Sequence, residues 1–174
     1  MKAHYVRDRA LRKLDTKEDW TTIPYLLVAS SGFIVSFYDF VVIQHLTFQL
    51  TISVLFGIIL LILGGILRIT SRKALMNAGF GLVNSSRLQI VKDQQLVTDG
   101  VYQHIRHPLY RGEITRNLGF AITLSSVFGL MVMVVGNIFL VLRLEIEETM
   151  LIEAFGHEYT EYQKRTKKLI PFIY

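Results

Sequence analysis

Ile52-Ser53-Val54-Leu55-Phe56-Gly57-Ile58-Ile59-Leu60-Leu61-Ile62-Leu63-Gly64-Gly65-Ile66-Leu67 is the centre of an apolar run from Phe48 to Ile69 that meets no charge before Arg68. A helix of about 20 apolar residues spans a hydrocarbon core of about 30 Å, so this run is long enough to cross a membrane. A second run, Ile23 to Ile43, precedes it and carries one charge, Asp39. Only Gln44-His45-Leu46-Thr47 separates the two, which predicts a tight antiparallel hairpin. Asp39 falls near its outer end and reads as an interface residue. A third apolar block, Ile114 to Leu142, is too long for one untilted span. Ser125-Ser126-Val127-Phe128-Gly129 reads as a turn inside it, dividing a short helix at about 113–124 from a longer one at about 127–152.

Composition agrees. The chain has 174 residues, of which 51% are hydrophobic, and its mean hydropathy is +0.39. That is too apolar for a soluble domain of this length and leaves room for one unit, expected as a single domain over 1–174. There is no cysteine, which excludes disulfides, thiol catalysis and Cys-ligated metals. Met1 to Trp20 is charged and mixed, without an apolar signal-peptide core.

The net charge of +5 invites a nucleic-acid reading, but position decides otherwise. The 19 Lys and Arg residues lie in the N-terminal segment, between Arg68 and Arg116, and after Leu142. The turns 44–47 and 125–129 have none. Spans at about 23–43, 48–69, 113–124 and 127–144, with both termini inside, put every basic residue on the cytoplasmic face. Basic charge then reports topology and contact with anionic lipid, and nucleic acid is not needed. The expected fold is an all-α polytopic membrane bundle whose last two spans form a helical hairpin. The polar stretch 70–111 and the tail 145–174 meet on one side as a cytoplasmic cap. The tail reads as helix, because Ile146, Met150 and Phe155 recur at helical spacing. Gly156 then stops it, before a short helix at about 157–168.

Chemistry concentrates in two places. Tyr102-Gln103-His104-Ile105-Arg106-His107-Pro108-Leu109-Tyr110-Arg111-Gly112 packs aromatic, cationic and titratable groups against a membrane helix. Proline disfavours helix at the residue before it, so His107 sits at a bend where a helix begins. Free amides and a positive dipole end there suit an anion. The bland alternative is an interfacial belt of Tyr and snorkelling Arg. The second place is Arg143-Leu144-Glu145-Ile146-Glu147-Glu148, where Arg143 and Glu147 share a helix face. Read blandly this is an exposed ion pair of little weight. Read functionally, Arg143 grips a carboxylate in a two-pronged bond and Glu147 accepts hydrogen bonds from a ligand.

Other signals fail. Gly79-Phe80-Gly81 lacks the third glycine and the βαβ setting of a dinucleotide site. The five histidines show no metal spacing, so no metal is expected. No serine stands in a nucleophile elbow.

Together the two motifs resemble a family. Leu96-Val97-Thr98-Asp99-Gly100-Val101-Tyr102, followed by Arg106-His107-Pro108-Leu109-Tyr110-Arg111-Gly112, is similar to the core motif of the isoprenylcysteine carboxyl methyltransferases and related phospholipid methyltransferases. Arg143 to Glu148, Leu151, Phe155-Gly156, Glu158-Tyr159, Tyr162, Arg165 and Pro171-Phe172-Ile173 match that family's C-terminal pattern in order and spacing. The resemblance covers roughly Arg68 to the C-terminus.

It implies an integral membrane enzyme using S-adenosyl-L-methionine, bound by the cytoplasmic loop and tail without a Rossmann domain. Carried over, the cofactor contacts are Leu96, Val97, Tyr102, His107, Pro108, Leu109, Tyr110 and Glu147. Arg143 would hold the acceptor's carboxylate, and Arg143 and Glu147 are the expected catalytic pair. Many relatives have His two residues before the Leu-Val pair; here Gln94 stands there and keeps hydrogen-bonding capacity. Gln89 is a further cofactor candidate. The implied acceptor is a lipophilic small molecule or lipidated substrate within membrane lipid, with no obligate protein partner evident. Phospholipid amine and small-thiol methylation, a sterol-reductase-like NADPH enzyme and a non-catalytic scaffold are the alternatives.

Overall fold

The computed structural model describes residues 19–78 and 95–170. Within them the chain is helical. α1 (Thr22–Tyr38) continues into one wider π turn (Asp39–Ile43), and α2 spans Ile52–Asn77. A short 3-10 turn (Gly100–Gln103) precedes α3 (Pro108–Thr123), α4 (Val127–Phe155) and α5 (His157–Arg165). Among the described residues the only β pairing is an isolated parallel bridge between Ile105 and Lys167. The expected all-α membrane bundle is the observed fold. α1 with its π turn, α2 and α4 are each long and apolar enough to cross a membrane. α3 has 16 residues, roughly 24 Å at 1.5 Å per residue, and is shorter than the bilayer core.

Helix ends depart from the hydropathy pattern in a consistent way. α2 runs on past Ile69 to Asn77, because apolarity marks the bilayer whereas backbone hydrogen bonding continues through good helix formers such as Arg72 and Lys73. α3 starts at Pro108 rather than near residue 113. Proline's fixed φ suits the first helical turn, where its missing N–H costs nothing. α4 stops at Gly156, whose φ of +55° is a backbone conformation that side chains with a Cβ rarely adopt. α5 ends at Arg165 rather than near 168, since Thr166 turns extended and hands the following residues to a different pairing.

The described residues divide into two compact units. The first comprises Thr21–Arg68 and Tyr110–Leu142. Its helices turn large apolar side chains outward, with Leu27, Ile34, Ile52 and Ile59 all exposed, as a lipid solvent requires. Small residues face inward, and α1 buries Ala29, Gly32 and Ser36. α2 and α3 touch backbone to backbone. A Cβ at Gly64 would stand 2.5 Å from Arg116 N, and one at Gly119 would stand 2.5 Å from Leu61 N. Gly57 and Gly64 on α2 face Gly112 and Gly119 on α3 at the same seven-residue spacing. This is the close small-residue packing by which membrane helices gain contact without a hydrophobic drive.

Polar side chains tie all four helices of this unit. Tyr25 of α1 donates to Glu113 Oε1 at 2.8 Å. Arg68 of α2 pairs with Glu113 Oε2 at 2.5 Å, and Arg116 pairs with Glu113 as well. Asn117 of α3 reaches Asn137 of α4 at 3.3 Å. At the turns, Gln44 donates to the Leu124 carbonyl at 3.0 Å. Asp39 is 6% exposed and accepts from Ser126 at 2.5 Å, while Ser126 caps Gly129 N–H at 2.9 Å. Asp39 is therefore a buried partner at the start of α4 rather than an open interface residue. A carboxylate there also complements the helix dipole.

The second unit comprises the described residues of Met1–Trp20, Ile69–Leu109 and Arg143–Tyr174. It holds most of the expected site.

Candidate active site

In the second unit, residues 104–107 lie alongside residues 167–168. Arg106 N donates to Lys167 O at 2.8 Å, His107 N to Lys168 O at 3.1 Å, and Lys167 N to His104 O at 3.3 Å. Tyr162 of α5 adds a buried hydroxyl bond to the Tyr102 carbonyl at 2.5 Å. The loop before Pro108 is thus clamped to the tail by its main chain. Proline at 108 ends the loop and leaves His107, 3% exposed, aimed at α4.

Glu148 is the hub of this clamp. It accepts from His107 Nε2 at 2.6 Å, Arg106 Nε at 2.9 Å, Tyr159 Oη at 2.7 Å and Gln163 Nε2 at 2.5 Å. Arg106 completes its fork on two carbonyls, Thr166 at 2.6 Å and Gln163 at 3.2 Å. The Arg106 and Glu148 side chains are only 8% and 6% exposed. A buried pair with this many satisfied groups is the arrangement that makes internal charge tolerable. Burial and the neighbouring Glu148 charge push the Tyr159 hydroxyl well above its ordinary range, so it stays a donor.

Glu147, one residue earlier, differs sharply. Its Oε2 is buried and has no hydrogen-bond partner among the described residues. Among the described residues its nearest ion-pair candidate is His107 Nδ1, 3.9 Å away, beyond hydrogen-bond reach. Burial and then the Glu147 charge push up the hydroxyl of buried Tyr102. His107 thus sits between two glutamates, bonded to one and facing the other. Arg143, one helical turn before Glu147, is 5% exposed and pairs with Asp19 Oδ2 at 3.1 Å.

The structure brings His107, Tyr102 and Glu147 together. Pro108 is fully buried, and Leu109 is half-buried in the same unit. Leu96 and Val97 are half-buried in the irregular stretch before Gly100. Tyr110 belongs to the other unit, where it is half-buried near the start of α3. Gln94 and Gln89 lie outside the described residues, as do Pro171, Phe172 and Ile173. Sequence reasoning missed Arg106 and Glu148 as partners. Each stands next to a residue it did select, and their opposite charges were the available signal.

Fold and site together define an integral, multi-pass membrane protein with a polar unit built around a buried Arg-His-Pro turn and a Glu-Glu pair. A sequence model of the family described as "Phospholipid methyltransferase" matches residues 52–158. The chain belongs to that family.

Among curated relatives, it is 34% identical over 119 residues to protein-S-isoprenylcysteine O-methyltransferase B of Arabidopsis thaliana, covering 68% of this chain and 59% of that protein. It is 35% identical over 118 residues to the Tribolium castaneum protein-S-isoprenylcysteine O-methyltransferase, covering 67% and 41%. The Homo sapiens protein of that name is 32% identical over 126 residues, with 72% and 43% covered. The chain therefore spans roughly half the length of the relatives it matches. A solved eukaryotic intramembrane Ras methyltransferase, an isoprenylcysteine carboxyl methyltransferase, superposes with a TM-score of 0.68 at 30% identity, over 86% of this chain and 53% of that one.

Proposed function

We propose that the protein transfers a methyl group from S-adenosyl-L-methionine to the carboxylate of a lipophilic, membrane-embedded acceptor of the isoprenylcysteine type. Residues 1–174 act as one methyltransferase domain, with both termini and the active site cytoplasmic. The observation that carries this reading is the buried Glu147 Oε2, without a hydrogen-bond partner among the described residues, beside His107 and one turn from Arg143, in a chain about a third identical to isoprenylcysteine O-methyltransferases.

The donor set fits the cofactor. A buried carboxylate oxygen left without a donor is costly. A cationic ligand rich in N–H and O–H groups relieves that cost. When bound, S-adenosyl-L-methionine supplies an electrophilic methyl group on a sulfonium. Glu147 holds its polar part. Leu96, Val97, Tyr102, His107, Pro108 and Leu109, all of one unit, provide the walls. Arg143 orients the acceptor, because a guanidinium fork matches a carboxylate. A carboxylate acceptor is ionised at neutral pH and needs no general base. Glu148 and Arg106 keep the His107 turn rigid, so that Glu147 retains its place.

Phospholipid amine methylation is the second reading, favoured by the description of the matched family. A labelled-methyl assay on the purified chain decides, using a farnesylcysteine analogue and a lipid extract with mass identification of the product. Label in the farnesylcysteine ester supports the carboxylate reading, and label in an extracted amine lipid replaces it with the second. Titration with S-adenosylhomocysteine and with NADPH tests the cofactor. Binding of NADPH alone sinks both methyltransferase readings.

A further inference from the structure

Arg143 has a carboxylate on it already. Asp19 Oδ2 lies 3.1 Å from Arg143 Nη2, and the two side chains are 11% and 7% exposed. A buried guanidinium needs an anion, and Asp19 supplies one. An acceptor carboxylate that takes Arg143 must come close to Asp19. Two carboxylates brought together on one guanidinium repel each other, most strongly where water is scarce.

We propose that Asp19 is a specificity-determining residue whose carboxylate occupies Arg143 in place of the acceptor's carboxylate and is displaced by it. This rests on the acceptor-carboxylate reading above. Asp19 belongs to the same chain, so its effective concentration at Arg143 is high. A small soluble carboxylate cannot outcompete it. An acceptor with a long apolar tail can, because the tail adds binding free energy that a soluble acid lacks. Asp19 thereby turns a general anion site into one for lipophilic acids.

Trp20, the chain's only tryptophan, follows Asp19 and is half exposed, so its fluorescence reports the displacement. The full-length protein is titrated with N-acetyl-S-farnesylcysteine and with its methyl ester, which has the same tail and no charge. The free acid is expected to shift the Trp20 emission and the ester to leave it unchanged. Asp19→Asn is expected to abolish the shift and lower the acceptor KM about tenfold, with affinity for S-adenosylhomocysteine retained. Acetate should raise the acceptor KM in the variant and not in the wild type.

A folded Asp19→Asn protein with an unchanged or raised acceptor KM overturns the proposal and leaves Asp19 as a support for Arg143. If that variant does not fold, the wild-type titration decides alone, and equal responses to acid and ester overturn the proposal. Failure of the underlying methyltransferase reading looks different. The wild type would then neither bind S-adenosylhomocysteine nor turn over any acceptor, and the role of Asp19 would fall with it.

Discussion

His107 Nε2 lies 2.6 Å from Glu148 Oε1, joining the residue before the α3 proline to the polar end of α4. The adjacent Glu147 faces the other ring nitrogen of the same histidine from 3.9 Å. Neighbouring glutamates therefore differ: one is fully satisfied, and the other has an oxygen without a hydrogen-bond partner among the described residues.

That division predicts a reversal between two conservative substitutions. Glu148→Gln removes the charge from a buried pair with Arg106 and should destabilise the fold by about 3–5 kcal/mol. Glu147→Gln removes the charge from a buried oxygen that has no hydrogen-bond partner among the described residues, so its thermal stability should equal or exceed wild type. Binding of S-adenosylhomocysteine should reverse the order, with a loss of about 100-fold or more for Glu147→Gln, or about 2.8 kcal/mol. Thermal unfolding in detergent and isothermal titration check both. Equal stability losses in the two variants would refute the division.

The helix-packing seam predicts a contrast between two adjacent glycines. A Cβ at Gly64 would stand 2.5 Å from Arg116 N and 2.7 Å from Gly112 O, whereas one at Gly65 meets nothing within 4 Å. Gly64→Ala should cost about 1–3 kcal/mol, since α2 and α3 must part. Gly65→Ala should be neutral or stabilising by up to about 1 kcal/mol, because alanine is the better helix former. Unfolding midpoints of the two variants measure this directly.

The uneven legibility of the chain has physical causes. Spans were legible because lipid demands long apolar runs, and Gly156 was legible as a stop because of its backbone freedom. Helix ends were not, since α2 continues to Asn77 after its apolarity is spent. The seven-residue spacing within each pair, Gly57 and Gly64 on α2 and Gly112 and Gly119 on α3, was visible but unread, because close approach declares itself only when two helices are paired. The two motifs proposed as the site both fall in one compact unit, except for Tyr110, Arg111 and Gly112. Which of Glu147 and Glu148 is open, and that Asp19 meets Arg143, depend on side-chain directions and a long-range contact that no local pattern encodes.

The buried tyrosines predict a stability limit at alkaline pH. Burial pushes the hydroxyls of Tyr102, Tyr159 and Tyr162 above their ordinary value near 10. A raised folded-state value means the native protein holds these protons where the unfolded chain releases them. Their contribution is full below about pH 10, the unfolded value, and is lost as pH rises above it. Stability should lose up to about 1.4 kcal/mol per pH unit for each such group. Tyr162→Phe removes one titrating group, so its stability profile above pH 10 should be shallower than wild type by that share. A parallel profile would remove Tyr162 from the explanation.

The role proposed for Arg143 can be tested by changing hydrogen-bond geometry while keeping charge. Arg143→Lys preserves the cation and its ability to pair with Asp19, but replaces a planar fork with a single ammonium. If Arg143 orients a carboxylate through two parallel bonds, the variant should lose about 10- to 100-fold in kcat/KM for the acceptor, or about 1.4–2.8 kcal/mol of transition-state stabilisation. Affinity for S-adenosylhomocysteine should stay at the wild-type level, because Glu147 and the His107 turn are untouched. A matched loss of cofactor affinity would instead make Arg143 part of the cofactor pocket. Unchanged kinetics would remove it from the site, and steady-state assays varying each substrate in turn separate the three outcomes.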